Sequence, residues 1–360
     1  MKKVNWGIIG LGAVATQFAK GFNFIDNGKL LGVASRNLER LKIFKDEHNL
    51  DSKYCFISYQ SLIENKEIDI IYIALPTSLH SEWVIKCLNN GKKVLVEKPV
   101  TINSFEIIKI KENHTNTENF LTEAFMYLYH PQIKKIIEII NSKEIGKLIS
   151  MQSNFGHDIL TKRNFLGFKK RKKMKLENRL YNKEMGGGAI LDLGCYPVSF
   201  SVLIASLISN INYEKVEVVN KKKEIGPTGV DLDSYAELKF ENGFTSRVSA
   251  SFTKNTGKKT KILGSEGELI IEDTWTGQPA RIIIKKNNAK SVNIDVDAKK
   301  NIYAYEIESL SKSILDQKNK PDFPGLTIDN IIGNMKIIDK WINWLMKNKI
   351  YDCVTFYNEN

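Results

Sequence analysis

Asp192 and Tyr196 lie four residues apart in the segment GGGAILDLGCYP, residues 186–197, and side chains of these types can handle the proton of a hydroxyl group. The residues after the glycines predict a helix, on which positions four apart share one face, and Pro197 fits it only in the first turns or at a kink. The three glycines suit a tight approach of the backbone to a cofactor or substrate. Cys195 points about 100° away from Tyr196 on a helix, so we expect it to pack in the core.

Tyr196 needs a nearby cation to act as a base, because tyrosine has an ordinary pKa of about 10. Lys98, in the segment EKP at 97–99, is the candidate. In one assignment, Tyr196 exchanges a proton with the substrate hydroxyl, Lys98 assists it, and Asp192 orients the substrate or Lys98. In the other assignment, Lys98 is the base and Tyr196 is its hydrogen-bond partner. Coupled groups leave both assignments open.

The elements that must position these residues begin with a nucleotide-binding unit. VNWGII, residues 4–9, predicts a strand, and Gly10, Gly12 and Ala15 follow it in a GxGxxA pattern before a helical segment. The two glycines allow a turn and a close approach to a pyrophosphate, the alanine lets helix and strand pack together, and the helix N-terminus faces the phosphates.

The end of the second predicted strand, LLGVAS, indicates which dinucleotide binds. An NAD site usually carries an acidic residue here, whereas this chain has Ser35 and Arg36. Ser35 can donate a hydrogen bond to a 2′-phosphate, and Arg36 can pair with that phosphate while lying over the adenine. We therefore expect NADP, with NAD as the alternative. In the other interpretation of this segment, Arg36 only opens the next helix.

Two further strand ends converge on the same cleft. IDIIYIALP and KKVLVEKPV predict buried strands, and ligands of a parallel open sheet bind outside the carboxyl ends of its strands. The predicted cofactor-binding residues are Gly10, Gly12, Ala15, Ser35, Arg36, Pro76, Thr77, His80, Glu97 and Lys98. The predicted catalytic residues are Lys98, Asp192 and Tyr196.

Taken together, these motifs resemble those of the Gfo/Idh/MocA oxidoreductase family over nearly the full length of the chain. The resemblance is carried, in chain order, by GIIGLGAVA, ASRNLER, the segment from SYQSLIENK to VLVEKPV, EAFMYLYHPQ and GGGAILDLGCYP. Within the family the chain looks most like the NADP-linked branch of dihydrodiol dehydrogenases and D-xylose 1-dehydrogenases, which have Tyr where most members have His. Many relatives carry Arg at the position of Leu128, so its absence leaves the substrate open.

The resemblance implies an α/β Rossmann domain followed by an α+β domain with an open, mostly antiparallel sheet. We expect the dinucleotide-binding domain over 1–122 and a substrate-binding and oligomerisation domain over 123–360, with a helix at 327–348 that packs on either domain. Alternating strands around the Asn-Gly turn of YAELKFENGFTSRVSASF support the second sheet independently. The resemblance also implies a homodimer or homotetramer formed through the outer face of that sheet.

The predicted activity is hydride transfer between a hydroxyl carbon of a sugar, polyol or cyclic diol and C4 of the nicotinamide. Two alternatives remain. One is a trans-dihydrodiol dehydrogenase of the same branch. The other is a non-catalytic NADP-binding sensor or scaffold, against which the proton-transfer residues Lys98, Asp192 and Tyr196 argue.

Composition narrows the classes of partner. The formal charge is +12, but only 7 of the 53 basic residues are Arg, and no Arg-rich or aromatic-interleaved patch predicts nucleic-acid binding. The run KKRKKMK at 169–175 predicts either a solvated loop or a clamp for an anionic substrate, such as a phosphorylated or nucleotide-linked sugar. The four cysteines include no CxxC pair and no ligand cluster is visible, so we expect no metal site.

The amino-terminal sequence and the apolar runs bear on location. The apolar runs fall short of the roughly 18 to 20 residues that cross a bilayer, so we expect no membrane span. MKKVNWGIIGLGAVA imitates a signal peptide, but the same residues open the nucleotide-binding unit, which cleavage would destroy. We therefore expect a cytoplasmic protein.

Overall fold

The first half of the chain forms a parallel sheet with helices on both faces. The computed structural model describes residues 2–114, 119–163, 168–287 and 289–342. The strands of this sheet are β1 Val4–Ile9, β2 Gly28–Ala34, β3 Cys55–Phe56, β4 Ile70–Ile73, β5 Lys93–Glu97 and β6 Leu121–Ala124. The helices between them are α1 Ala13–Ala19, α2 Leu38–Glu47, α3 Tyr59–Glu64, α4 His80–Asn89 and α5 Ser104–Asn113.

The strand order of this sheet is β3-β2-β1-β4-β5-β6, and all neighbours run parallel. Strand β4 is buried at every position, as expected for an apolar strand that is covered on both faces. The order reverses between β1 and β4. Ligands of such sheets bind in the crevice outside the carboxyl ends of the strands at this reversal. The strand order is that of the Rossmann fold, so the predicted fold class of the first domain is confirmed.

The second half contains a larger, mostly antiparallel sheet. After α6 Pro131–Asn141, its strands are β7 Leu148–Gly156, β10 Glu217–Ile225, β11 Asp231–Lys239, β12 Thr245–Ser251, β13 Thr260–Gly264, β14 Gly267–Ile271, β15 Arg281–Lys286 and β16 Val292–Asp295. The order is β10-β11-β12-β7-β13-β14-β15-β16, and β7 and β12 are the parallel pair among the described strands. A separate hairpin consists of β8 Thr161–Arg163 and β9 Lys169–Arg171.

A buried helix covers the inner face of the second sheet and carries the predicted catalytic motif. Asp192 lies in a π turn, Ile190–Gly194, which leads directly into α7, Cys195–Ser206. Pro197 has no N–H to donate, so regular α-helical bonding cannot continue through it, and the wider turn lies immediately before it. Cys195 is buried, as predicted.

The segment Lys183–Ser206 is long and apolar enough to suit a membrane span, contrary to the expectation from the sequence. Its apolar window is, however, wholly buried inside the protein. A helix that is hydrophobic on all sides is expected in the core of a protein of this size as well as in a membrane. In this fold the segment fills the space between the second sheet and the first domain.

The last two helices connect the two halves. Helix α8, Ile302–Leu315, packs on β1 and β2 of the first sheet, and the indole nitrogen of Trp6 donates to the Ser311 hydroxyl at 2.9 Å. Helix α9, Ile328–Ile342, packs between α5 and α7 and so contacts both halves. The rest of the helix predicted at 327–348 lies outside the described residues. Strand β6 extends the first sheet to Ala124, two residues past the predicted domain boundary.

Candidate functional site

The carboxyl ends of β1, β4 and β5 open into a cavity of 570 Å³ that extends to the start of α7. One end, which we call the nucleotide end, is lined by the glycine loop after β1 and by the residues after β2. The other, which we call the reaction end, is lined by Lys98, Met126, Arg179 and Tyr196. The volume of the whole cavity falls in the usual range for small-molecule and cofactor sites.

The glycine loop fits the expected role of binding a pyrophosphate. Gly10 has φ +88°, and a Cβ atom there would lie 2.6 Å from the carbonyl oxygen of Ala74. No other residue type fits that turn without strain. A Cβ atom on Gly12 would instead project into open space, so the backbone there leaves room beside the N-terminus of α1. A dinucleotide phosphate therefore fits at this loop.

Two arginines define the nucleotide end. The Arg36 guanidinium lies over the ring of Tyr59, 5.6 Å from its centroid, and both residues line the cavity. The Ser35 hydroxyl accepts a hydrogen bond from the Asn37 backbone at 3.1 Å and retains its own proton for donation. Arg40 lines the same end, although it was not among the predicted cofactor-binding residues. Its spacing of four residues from Arg36, at the start of a predicted helix, was the available signal.

The other predicted cofactor residues divide into those that line the cavity and those beneath it. Pro76, Thr77, Glu97 and Lys98 line it. Ala15 is buried in the core of the first domain, where its small side chain lets α1 approach the sheet.

His80 does not line the cavity. Its buried ring bridges the carbonyl oxygens of Leu75 and Pro99, at 2.8 and 3.0 Å, and so ties together the loops after β4 and β5. Burial lowers the pKa of His80 to about 4, although the two carbonyl contacts act in the opposite direction; the neutral ring has one N–H and so donates to one of the two carbonyl oxygens at a time. The structure therefore places His80 in a supporting position.

Lys98 and Asp192 form a buried ion pair at the reaction end. Lys98 Nζ donates to the backbone oxygen of Asp192 at 2.8 Å and to its Oδ1 at 3.3 Å. Burial alone would raise the pKa of Asp192, but the charges of Lys98 and Arg179 hold it below its ordinary value. Burial acts to lower the pKa of Lys98, and the Asp192 carboxylate raises it above the ordinary value. Both side chains are therefore charged near neutral pH.

Arg179 is the second cation on Asp192, and it was not among the predicted site residues. Its Nη1 and Nη2 each donate to Asp192 Oδ1 at 3.2 Å. It belongs to the short 3-10 helix Arg179–Tyr181, which precedes the glycine run. No local pattern singles it out, because its partner is 13 residues away and the intervening chain is irregular.

Tyr196 lies beside Lys98, and the cation is directed toward its ring. Lys98 Nζ lies 5.1 Å from the centroid of the Tyr196 ring, and the Tyr196 hydroxyl contacts Met126 Sδ at 3.7 Å. The cation therefore faces the ring rather than the phenol oxygen. Burial raises the pKa of Tyr196 well above its ordinary value. The hydroxyl consequently keeps its proton at neutral pH and is set to donate it.

The glycine run packs against protein rather than against the cavity, contrary to the expectation from the sequence. A Cβ atom on Gly187 would lie 2.6 Å from the carbonyl oxygen of Arg179, and one on Gly188 would lie 2.4 Å from Asp231 Oδ1. None of these three glycines lines the cavity. They allow the loop that carries Arg179 to fold back tightly on the start of the catalytic helix.

The reaction end is bordered by buried acids. The Tyr72 hydroxyl donates to Glu97 Oε1 at 2.5 Å, and burial raises the pKa of Glu97. Glu123 accepts from the backbone nitrogen of Val100 at 3.0 Å, and burial raises the pKa of Glu123 to about 8. Both acids thus hold the loop on which Lys98 lies. Tyr303 of α8, which was not predicted, also lines the cavity.

Leu128 and the basic run were the remaining candidates for substrate selection. Leu128 is buried in the core, and Met126 is the residue of that segment that faces the cavity. The described part of the basic run forms strand β9 and an exposed continuation, outside the lining of the cavity. Arg171 pairs with Glu224, and Lys172 Nζ donates to the carbonyl oxygen of Ile159.

Two family models match the chain. One, the Gfo/Idh/MocA "oxidoreductase family, NAD-binding Rossmann fold", matches residues 4–125. The other, the "GFO/IDH/MocA C-terminal domain", matches residues 133–270. Together they cover both halves described above.

Individual relatives agree with the family models. A trans-1,2-dihydrobenzene-1,2-diol dehydrogenase from Xenopus laevis is 29% identical over 293 residues, 81% of each chain. A D-xylose 1-dehydrogenase (NADP(+)) from Haloferax volcanii is 25% identical over 76% of this chain and 77% of its own length. Among solved structures, one similar chain is a variant of KijD10, a 3-ketoreductase from Actinomadura kijaniata in complex with TDP-benzene and NADP. The two structures superimpose with a TM-score of 0.78 and 21% identity, over 95% of this chain and 98% of that one. At this identity, the likeness shows a shared fold.

Proposed function

This chain belongs to the Gfo/Idh/MocA oxidoreductase family, and on that premise we propose that it is an NADP-dependent oxidoreductase acting at a hydroxyl or keto carbon of a sugar, polyol or cyclic diol. The observation that carries the proposal is a single cavity. It joins a phosphate-binding glycine loop and Arg36 at one end to Lys98 and Tyr196 at the other. A binding module has no need of a buried ion pair and a buried phenol at the far end of its nucleotide site.

The cofactor would be held by residues at the nucleotide end. The loop at Gly10 and Gly12 would bind the pyrophosphate, and Ser35, Arg36 and Arg40 would bind the 2′-phosphate. Bound NADP supplies hydride acceptance and NADPH hydride donation. The match to an NADP-linked relative supports the same cofactor.

The chain itself supplies the proton chemistry. In the reducing direction, the Tyr196 hydroxyl donates its proton to the substrate oxygen, while Lys98 keeps its charge beside that oxygen and stabilises the developing alkoxide. In the oxidising direction, Tyr196 first loses its own proton to solvent, and the phenolate Oη then accepts the proton of the substrate hydroxyl. The opposite assignment gives Lys98 Nζ the proton transfer and leaves Tyr196 as hydrogen-bond partner. Asp192 favours the charged form of Lys98, which can donate a proton in the reducing direction; to act as the base in the oxidising direction, Lys98 must first lose that proton.

The substrate class follows from the relatives and from the reaction end together. By their names, the relatives given above act on trans-1,2-dihydrobenzene-1,2-diol and on D-xylose, and both substrates carry adjacent hydroxyl carbons. An anionic sugar stays a prediction that rests on the exposed cations around β9. Measuring whether a trans-dihydrodiol or an aldose is turned over distinguishes a dihydrodiol dehydrogenase from a sugar dehydrogenase.

The test of the proposal is the rate of absorbance change at 340 nm with NADP⁺ and, separately, NAD⁺. The substrate panel comprises free aldoses, inositols, a trans-dihydrodiol and phosphorylated or nucleotide-linked sugars, together with NADPH and the matching ketones. We expect turnover with NADP(H) on at least one hydroxyl or keto substrate. Tight NADPH binding without turnover of any member would favour a sensor or scaffold instead.

We also propose a cytoplasmic homo-oligomer that associates through the outer face of the second sheet. Leu263 of β13 points to that face, opposite the buried Ile262, and it is largely exposed in the single chain. Light scattering of the purified protein is expected to give two or four times the chain mass of 41.1 kDa. Leu263→Lys is expected to shift that mass toward the monomer, and a monomeric unaltered protein would contradict the proposal.

A further inference from the structure

Arg179 lies at the reaction end, where its side chain can contact a substrate as well as pair with Asp192. The loop that carries it is held by backbone hydrogen bonds from Gly187 to Asn182, at 2.9 Å, and from Gly188 to Leu180, at 3.1 Å. The guanidinium lies at the cavity wall, and the Arg179 side chain is 44% exposed. Lys98 and Asp192 are far more enclosed, at 15% and 12%.

The two cations on Asp192 bind the same oxygen atom. Lys98 Nζ and both Arg179 nitrogens contact Oδ1, at 3.2 to 3.3 Å. Within the ranges that the structure describes, no side chain or backbone donor bonds to Oδ2. A guanidinium has five N–H groups, and those of Arg179 that do not bind Oδ1 remain for another acceptor. The pair therefore presents a free acceptor and free donors next to each other.

This pattern is complementary to a substrate with oxygens on adjacent carbons. Tyr196 and Lys98 serve the oxygen on the reacting carbon. Resting on that proposed function, we propose that Arg179 is a substrate-binding residue that, together with Asp192 Oδ2, binds the oxygen on the neighbouring carbon. That hydroxyl donates to Oδ2 and accepts from the guanidinium, so Arg179 selects vicinal oxygen substrates over simple alcohols. Planar donor geometry makes arginine better suited than lysine to this double contact.

A purely structural role for Arg179 predicts a different outcome. If the guanidinium only held the Asp192 carboxylate, its loss would slow every substrate by the same factor, through Lys98. If it binds the neighbouring oxygen, its loss would matter much more for substrates that have that oxygen than for substrates that lack it. A charge-assisted hydrogen bond of this kind is worth about 10- to 100-fold in kcat/KM.

The experiment compares D-glucose with 2-deoxy-D-glucose, which lacks the hydroxyl next to C1, in the unaltered protein, Arg179→Gln and Arg179→Lys. The unaltered protein's turnover with NADP⁺ tests the proposed function, and the ratio of kcat/KM between the two sugars tests Arg179. Bound-NADPH fluorescence during titration with each sugar gives the same ratio for binding, without turnover.

We expect Arg179→Gln to lower kcat/KM for D-glucose about 10- to 100-fold and that for 2-deoxy-D-glucose only a few-fold, with Arg179→Lys intermediate. Lys299→Gln is the charge control, because the Lys299 side chain is 87% exposed and does not line the cavity, and it should leave the ratio unchanged. An equal loss on both sugars in Arg179→Gln would overturn the proposal. An unchanged ratio in the binding titration would also overturn it.

Discussion

The preference for NADP over NAD gives the sharpest quantitative prediction, because Arg36, one of the side chains proposed to bind the 2′-phosphate, is exposed and can be changed by itself. Its guanidinium is held over Tyr59, and within the described residues it has no carboxylate partner. We consider the change Arg36→Gln, which keeps length and polarity but removes the charge. A hydrogen bond to a charged group contributes about 1.5 to 3 kcal/mol, and each 1.4 kcal/mol is a factor of ten. Because Arg36 is exposed, screening places the expected effect near the lower end, about tenfold.

The assay is the ratio of kcat/KM for NADP⁺ to that for NAD⁺, measured at about 20 mM and about 300 mM salt. Arg36→Gln should lower this ratio about tenfold at low salt and less at high salt, since exposed charges are screened. Arg40→Gln is the matched variant at the same end of the cavity, and it should act in the same direction. Tyr59→Phe keeps the ring under Arg36 and should change little.

Equal losses with NADP⁺ and NAD⁺ in Arg36→Gln would refute this reasoning. They would mean that Arg36 supports the adenine or the fold and does not recognise the 2′-phosphate. A salt-independent effect would likewise exclude a charge interaction as its source.

Three further predictions concern titration and the basic run. Burial raises the pKa of Glu123 to about 8, so its contribution to the free energy of unfolding is complete below pH 4 and is lost as pH rises through 8. In urea unfolding, Glu123→Gln should therefore be more stable relative to the unaltered protein at pH 8.5 than at pH 5, by about 1 to 3 kcal/mol. A difference in stability that does not change with pH would contradict this prediction. Tyr196 and Lys98 both hold their protons near neutral pH, so kcat for oxidation should rise with pH between 6 and 9 while kcat for reduction stays level. A kcat for oxidation that falls with pH would count against both Tyr196 and Lys98 as the group that transfers the proton. Neutralising Lys170 and Lys173 together should raise KM for glucose 6-phosphate several-fold and leave KM for glucose unchanged, and equal KM values for the phosphate ester would exclude an anion clamp.

Much of the first domain could be predicted from the sequence because its signals are local. Apolar runs such as Ile70–Ile73 are buried strands, and the glycine pattern after β1 marks the phosphate loop. The Asn-Gly turn between β11 and β12 also predicted its hairpin correctly. The return of α8 to the first sheet could not be predicted, because it depends on contacts between residues about 300 positions apart, such as Trp6 and Ser311.

The reaction end was predicted only in part, for a similar reason. Lys98, Asp192 and Tyr196 were identified because they lie in compact motifs that resemble a family. Arg179 lies in an irregular loop, and its role depends on how three glycines let that loop fold back. Spacing alone reveals neither the π turn before α7 nor that Lys98 faces the ring of Tyr196 and not its hydroxyl.

The central claim is that Tyr196 transfers the proton at the end of an NADP cavity. The most direct test is the single-turnover rate at 340 nm for Tyr196→Phe, with Lys98→Met as the comparison, on the best substrate of the panel. We predict that Tyr196→Phe binds NADPH as tightly as the unaltered protein, because among the described residues the lost hydroxyl donates a hydrogen bond to Met126 Sδ, and that its rate falls about 10²- to 10⁴-fold. A Tyr196→Phe rate within a few-fold of the unaltered protein, with Lys98→Met inactive, would contradict the claim and assign the proton to Lys98.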